Sequence, residues 1–203
     1  MKETRFLRFL KYFLSVFIII LIPTYVHYYG WQNFLWLSDI GLFLTVLALW
    51  FHSSLLMSMA VVGVLFTELV WCVDYFVELL AGYNLIDLSD YMFDGGYPMA
   101  LRAISLFHVF VPAIWIWYLV RYGYQKRALY YMTGLYWLVL IATYTLTDPA
   151  ANINWVFLPH ANPCIKFSPL GWVSFLFVAF PLFIFLPSHF LCSRLFKKVN
   201  SRL

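Results

Sequence analysis

Residues 54–81, SLLMSMAVVGVLFTELVWCVDYFVELLA, decide the fold class of this chain. The acidic side chains of the stretch are Glu68, Asp74 and Glu78, and it contains no basic residue. An α-helix of this length rises about 42 Å, which exceeds the hydrocarbon core of a bilayer, about 30 Å thick. The stretch therefore predicts a transmembrane helix with a few buried acids.

Five further apolar stretches of spanning length flank this one. They cover residues 10–28, 32–51, 98–121, 128–146 and 169–191. The chain is 64% hydrophobic and 11% charged, whereas soluble domains are about a quarter charged. This composition excludes a soluble globular protein and predicts an all-α bundle of six transmembrane helices. The spans use most of the 203 residues, so residues 1–203 are expected to form a single domain.

The basic residues are sorted to one side of these spans. With the N-terminus in the cytoplasm, most of the 13 Lys and Arg fall on the cytoplasmic side: Lys2, Arg5, Arg8, Lys11, Arg121, Lys126, Arg127, Arg194, Lys197, Lys198 and Arg202. This positive-inside pattern predicts that both termini are cytoplasmic. The net charge of +4 is therefore explained by orientation and anionic headgroups, and no nucleic-acid partner is predicted.

Ionisable residues inside the spans are the best candidates for a site, because burying charge in a membrane is costly. The helical rise places five polar residues in one layer of the outer half: Asp39, Glu68, Arg102, Ser105 and His108. Asp74 lies on the same face of its helix as Glu68. Arg102 is expected to pair with Glu68 or Asp74, with His108 nearer the midplane. The layer is either a site for a ligand or proton, or an ion-pair network that fixes helix register.

The second outer loop adds polar candidates. Asp148 begins the segment, and Asn152 and Asn154 follow it. Asparagine amides can bind a ligand or cap backbone groups, so the loop is either part of the site or a lid packed on the helices. Two prolines inside spans, Pro112 and Pro181, are expected to kink their helices and free one carbonyl each.

Metal and redox signals are weak. His52 and His189 are expected at similar depth near the cytoplasmic end, where two histidines can hold a haem or contribute to a zinc site. Cys72 and Cys164 both map to the outer half, while Cys192 does not. There is no C-x-x-C, H-E-x-x-H or G-x-S-x-G motif. No cofactor is assigned from the sequence, and no catalytic residue is named.

The segment Thr147-Asp148-Pro149 through Asn152-Ile153-Asn154-Trp155-Val156-Phe157, together with Ser105-Leu106-Phe107-His108 and Pro187-Ser188-His189, resembles a group of uncharacterised bacterial multi-pass membrane proteins. The resemblance covers nearly the whole chain. It implies a bacterial origin, and therefore a location in the inner membrane of a bacterium, and no particular activity or substrate.

Three functions remain open at this point. The first is a membrane protein that binds or transports a small polar ligand, ion or proton from the non-cytoplasmic side. The second is a membrane-embedded enzyme acting on a lipid or lipid-linked substrate, with His108 as base or metal ligand beside Glu68 and Asp39. The third is a structural or assembly subunit. The lipid bilayer is the one partner predicted, and the oligomeric state stays open.

Overall fold

The computed structural model describes residues 4–157 and 168–196, and this part of the chain is helical with no strand. The main helices are α1 (Arg5–Tyr29), α2 (Leu37–Trp50), α3 (Ser54–Ala81), α4 (Met99–Ile104), α5 (Phe107–Tyr122), α6 (Ala128–Leu146), α7 (Pro169–Phe180) and α8 (Leu186–Leu195). Short 3-10 helices cover Trp31–Leu35, Asp90–Met92, Pro149–Ala151 and Ile153–Trp155, and Pro181–Phe185 is a π-helix. The prediction of an all-α polytopic membrane protein is confirmed.

Five helical segments are long and apolar enough to cross a membrane: Arg5–Tyr29, Ser54–Ala81, Met99–Tyr122, Ala128–Leu146 and Pro169–Leu195. The sixth apolar segment is shorter than the expected span over residues 32–51. Its α-helix is α2, with 14 residues, which rises about 21 Å. Gly30, with a φ of 79°, and the extended Trp36 separate the preceding 3-10 helix from its neighbours. The N-terminal end of α2 therefore leaves space that a full-length helix would fill.

Hydroxyl side chains fix the starts of three helices. Thr4 Oγ1 accepts from the Leu7 N–H, Ser53 Oγ from the Leu56 N–H and Ser168 Oγ from the Gly171 N–H. Each satisfies a backbone donor that has no partner within the helix. The boundaries of α1, α3 and α7 thus follow from local sequence.

Helix α3 is the centre of the bundle. It packs against α2, α5, α6 and α8, and its residues 57–64 are continuously buried. The contact with α6 is close at Gly63, where an added Cβ would lie 2.4 Å from Met132. Large apolar side chains such as Ile19, Val120 and Leu138 are exposed, as expected for surfaces that face lipid.

Contacts between helices define two ends of the bundle. Tyr12 packs on Trp50, Phe6 on Trp117, and Tyr124 bonds to His189. These contacts bring the first turns of α1 and the last turns of α2, α5 and α8 to one end, called the terminal end below. The opposite end is called the loop end. It carries the connection between α3 and α4 and the 3-10 turns after α6.

Candidate functional site

A cavity of about 530 Å³ lies at the loop end. Its walls come from α1, α2, α3, α5, α7, the first 3-10 helix and both loop-end connections. The polar side chains in the lining are Tyr25, Tyr29, Asn33, Ser38, Asp39, Thr67, Glu68, Asp87, Tyr91, Ser105, His108 and Asn154. Asp87 is exposed, so the cavity reaches the surface. The size is typical of a small-molecule site.

His108 and Glu68 form a close pair in the cavity wall. His108 Nδ1 lies 2.6 Å from Glu68 Oε2, with side chains that are 12% and 3% exposed. The imidazole is stacked between Trp71 and Phe107, at ring-centroid distances of 4.5 and 4.2 Å. The carboxylate and the two rings hold the imidazole in one orientation.

Asp39 is the second buried carboxylate of the cavity. It is 2% exposed and lies in the first turn of α2, where the helix dipole favours a negative charge. Asn33 Nδ2 is 3.4 Å from its Oδ2 atom, and its Oδ1 atom has no hydrogen-bond partner among the described residues. A buried acceptor without a donor costs about 1–3 kcal/mol. Asp39 therefore offers an unused acceptor to whatever occupies the cavity.

Phenol groups line the cavity next to these carboxylates. The Tyr25 hydroxyl and Ser105 Oγ are 3.0 Å apart in a hydrogen bond. Tyr91 lies in the 3-10 helix of the first loop-end connection, where burial raises the pKa of its hydroxyl above the usual value. Tyr91 therefore stays neutral and able to donate a hydrogen bond at any physiological pH.

Asn154 connects the second loop to the start of α2. Its Oδ1 atom accepts from the Leu37 N–H at 3.2 Å, and its Nδ2 atom donates to the Leu35 carbonyl at 2.7 Å. A side chain distant in sequence thus caps α2. Asn154 and Trp155 both have a φ of 52°, which is unfavourable for a bulky residue such as Trp155. Trp155 lines the cavity, so this strained turn forms part of its wall.

Asp74 binds backbone N–H groups and a hydroxyl, whereas an ion pair with Arg102 was expected. Its two oxygens accept from the backbone N–H groups of Leu85, Ile86, Leu88 and Ser89 and from the Ser89 hydroxyl, at 2.9–3.3 Å. Asp74 is fully buried and does not line the cavity. It holds the first loop-end connection against α3.

Arg102 pairs with neither Glu68 nor Asp74, so the predicted ion pair is wrong. The Arg102 Nη1 atom donates to the Met92 carbonyl at 2.9 Å, and Arg102 is not in the cavity lining. The reason is a turn at Ser105 and Leu106, which separates α4 from α5. Arg102 and His108 therefore do not share one continuous helix face.

Two other loop candidates lie outside the lining. Asp148 Oδ1 accepts from the Ala150 N–H at 2.8 Å, and Asn152 Oδ1 accepts from the Phe157 N–H at 2.9 Å. Both stabilise turns of the second loop. Of the predicted site residues, the structure brings Asp39, Glu68, Ser105, His108 and Asn154 to one cavity.

No hydrogen bond or ring contact joins the two histidines at the terminal end among the described residues. His189 Nδ1 bonds to the Tyr124 hydroxyl at 2.7 Å, and His52 Nδ1 has no hydrogen-bond partner in the described part of the chain. No group of three or more His, Cys, Asp or Glu side chains in residues 4–157 and 168–196 could hold a metal ion. Cys72 donates to the His108 carbonyl, and Cys164 lies outside the described residues.

Several lining residues were not predicted from the sequence, among them Tyr25, Asn33, Trp36, Asp87 and Tyr91. A tyrosine at the end of a span, such as Tyr25, is by default part of the interfacial aromatic belt, so the sequence does not single it out as a site residue. The acid-rich connection of residues 82–97 was a usable signal for Asp87 and Tyr91. The chain matches no family model, no curated protein and no solved structure.

Proposed function

We propose that this integral membrane protein binds a small ligand or ion in the loop-end cavity, and that binding is linked to a proton. The observation that carries the proposal is the Asp39 carboxylate oxygen, which is buried in the cavity wall without a donor. Groups left unsatisfied in native structures call for an explanation, and a ligand supplies one. A purely structural polar layer would instead be expected to satisfy its own acceptors.

The His108–Glu68 pair would supply the proton link. Histidine titrates near physiological pH, and this imidazole is held by a carboxylate at 2.6 Å. A cation arriving at Glu68 would compete with the imidazolium and release its proton. Such competition is the simplest way to couple a ligand to a proton within one site.

The cavity would open to the non-cytoplasmic side. Among the described lysines and arginines, Arg102 lies at the loop end, where the cavity also lies. The others belong to the terminal end: Arg5, Arg8, Lys11, Arg121, Lys126, Arg127 and Arg194. The positive-inside rule then places the terminal end in the cytoplasm. For a bacterial inner membrane, ligand would enter from the periplasmic or external face.

The test is a thermal-shift screen of the purified protein in an uncharged detergent. Amines, neutral polar solutes and carboxylates would each be added to the wild type, to Glu68→Gln and to Asp148→Asn. We expect at least one solute class to raise the unfolding temperature of the wild type and of Asp148→Asn, but not that of Glu68→Gln. Asp148 is a matched control because its carboxylate lies outside the cavity.

Two outcomes would overturn the proposal. The first is that no solute of any charge class stabilises the wild type. The second is that a folded Glu68→Gln protein responds as the wild type does. Either result, joined to a lower unfolding temperature for Glu68→Gln, would favour a structural or assembly subunit.

The His108–Glu68 distance also favours a second candidate, a membrane-embedded enzyme acting on a lipid or lipid-linked substrate. A carboxylate that orients a histidine is a common form of general base. The distinguishing result is turnover by the wild type that is lost in a folded His108→Ala protein. Ligand-induced stabilisation without turnover of any lipid supplied would favour simple binding or transport.

A further inference from the structure

The cavity lining contains more acidic than basic side chains. Three carboxylates line the cavity, those of Asp39, Glu68 and Asp87, and the described residues contribute no lysine or arginine to the lining. His108 is the basic group present. The acidic side chains of the lining therefore outnumber the basic one. An anionic ligand would meet repulsion, and a cationic ligand would balance the charge.

Aromatic rings surround these carboxylates. The lining contains Tyr25, Tyr29, Trp36, Phe66, Trp71, Tyr91, Trp155 and Phe180. These rings belong to α1, α3, α7 and the loop-end connections, so they are placed on several sides of the space. Aromatic faces attract organic cations, and they also bury an apolar body that a metal ion or an inorganic cation lacks.

The Asp39 Oδ1 atom, which has no donor among the described residues, calls for a ligand with a hydrogen-bond donor. Asp39 is 2% exposed, and its Oδ1 atom has no donor. A ligand that carries N–H groups would satisfy this acceptor, whereas a quaternary ammonium has no hydrogen to donate. The donor requirement therefore separates protonated amines from quaternary ammonium ions.

We propose that the ligand of the loop-end cavity is a protonated amine with an apolar or aromatic body, its N–H donating to Asp39 and its charge lying among the aromatic rings. This inference rests on the proposed function, which needs only a ligand in the cavity. The volume of about 530 Å³ accommodates an arylalkylamine. The amine could be a soluble solute or the headgroup of an amino-phospholipid.

The experiment compares three probes of nearly one shape by calorimetry on the wild-type protein: 2-phenylethylammonium, 2-phenylethanol and 3-phenylpropanoate. We expect the ammonium to bind at least about tenfold more tightly than the alcohol, since it adds charge contacts to the same apolar body. The propanoate is expected not to bind. Trimethyl(2-phenylethyl)ammonium keeps the charge without N–H groups, and it is expected to bind more weakly than the primary amine.

Variants identify the groups responsible. Asp39→Asn is expected to remove the preference for the ammonium over the alcohol, and Trp71→Leu is expected to weaken binding of the ammonium several-fold. Asp148→Asn should bind all probes as the wild type does. Circular dichroism and the unfolding temperature would show that each variant folds. The comparison of probes on the wild type remains decisive if a variant does not fold.

The source of the amine is decided by competition. Dihexanoylphosphatidylethanolamine that displaces 2-phenylethylammonium assigns a lipid headgroup, and failure to displace it assigns a soluble amine. An alcohol that binds as tightly as the ammonium, or a propanoate that binds better, would overturn the amine assignment. That result would leave the proposed function standing if binding still depended on Glu68. Absence of binding by all three probes, with no stabilising solute in the screen, would overturn both.

Discussion

Glu68 and Asp74 lie on the same helix, yet their carboxylates have different kinds of partner. Asp74 accepts four backbone N–H groups and one hydroxyl, all from residues 85–89. Glu68 meets an imidazole in a cavity wall. A carboxylate whose acceptor sites are filled by backbone donors has a structural role, whereas one paired with a titratable ring can change partner. The two acids are therefore expected to respond differently to neutralisation.

Asp74→Asn tests the structural role. The amide replaces one acceptor oxygen with a donor that faces other donors, so we expect a loss of about 3 kcal/mol in the free energy of unfolding. Denaturation in mixed micelles would measure it. Asp94→Asn is the control, because Asp94 is exposed and its Oδ1 atom accepts from the Gly96 N–H. An equal loss in both variants would contradict the assignment.

The His108–Glu68 pair is tested by a double-mutant cycle. His108→Gln leaves a buried carboxylate without its partner, and breaking a buried pair in this way costs about 3–5 kcal/mol. Adding Glu68→Gln should recover part of that loss, with a coupling free energy of at least about 1 kcal/mol. His108→Gln combined with Asp148→Asn should instead be additive. Additivity at both pairs would mean that the close contact contributes nothing to stability.

At the scale of whole helices, the two prolines show how a neighbouring helix compensates for a missing N–H. Proline leaves the carbonyl four residues before it without a partner. For Pro112 that carbonyl belongs to His108, and it accepts from the Cys72 thiol at 3.3 Å. For Pro181 it belongs to Phe177, and it accepts from the Trp137 indole at 2.9 Å. The freed carbonyls expected from the sequence are present, and each is satisfied by a side chain.

Trp137→Phe removes the donor to the Phe177 carbonyl, and we expect it to lower the free energy of unfolding by about 1 kcal/mol. Tyr130→Phe, at an exposed ring on the same helix, should cost less. In a Pro181→Ala background the backbone supplies an N–H of its own, so the cost of Trp137→Phe should shrink. A cost that stays unchanged there would show that lost ring packing, and no hydrogen bond, is responsible.

Backbone groups at the start of α2 are likewise satisfied by a side chain from another segment, that of Asn154. Asn154→Ala removes both the acceptor for the Leu37 N–H and the donor to the Leu35 carbonyl, so we expect a loss of about 2 kcal/mol in stability. Asn154→Asp keeps the acceptor and loses the donor, and its cost should be smaller. Thermal unfolding of the two variants and of the wild type would show which substitution costs more stability. A larger cost for Asn154→Asp would contradict the capping role.

Sequence patterns predicted the helices better than the site. Long apolar runs fix the spans, because backbone groups in lipid must bond within their own helix. The polar layer was also foreseen, since buried charges are rare and conspicuous in such runs. The partners of Asp74 and Arg102 were not predictable, because they are backbone groups of the loop, and every residue carries those. The turn at Ser105 that removes Arg102 from the layer has no glycine or proline to mark it.

At the scale of the whole molecule, most of the described basic residues and the cavity lie at opposite ends of the helical bundle. The terminal end holds every described lysine and arginine except Arg102, and the loop end holds the cavity with its carboxylates. A short α2 and an Asn154 cap create the space, and α3 supplies Glu68 and Trp71 to its wall. Most of the described basic residues and the carboxylates of the cavity therefore lie at opposite ends of the bundle.

Cysteine labelling in right-side-out membrane vesicles tests the orientation. In a background without native cysteines, Asp90→Cys places a thiol in the exposed loop-end connection, and Lys126→Cys places one in the exposed link between α5 and α6. The positive-inside rule predicts that a membrane-impermeant maleimide labels Asp90→Cys in intact vesicles. Lys126→Cys should react only after permeabilisation, which also serves as the control that its thiol is accessible. The reverse pattern would place the cavity on the cytoplasmic side and would require its ligand to be a cytoplasmic amine.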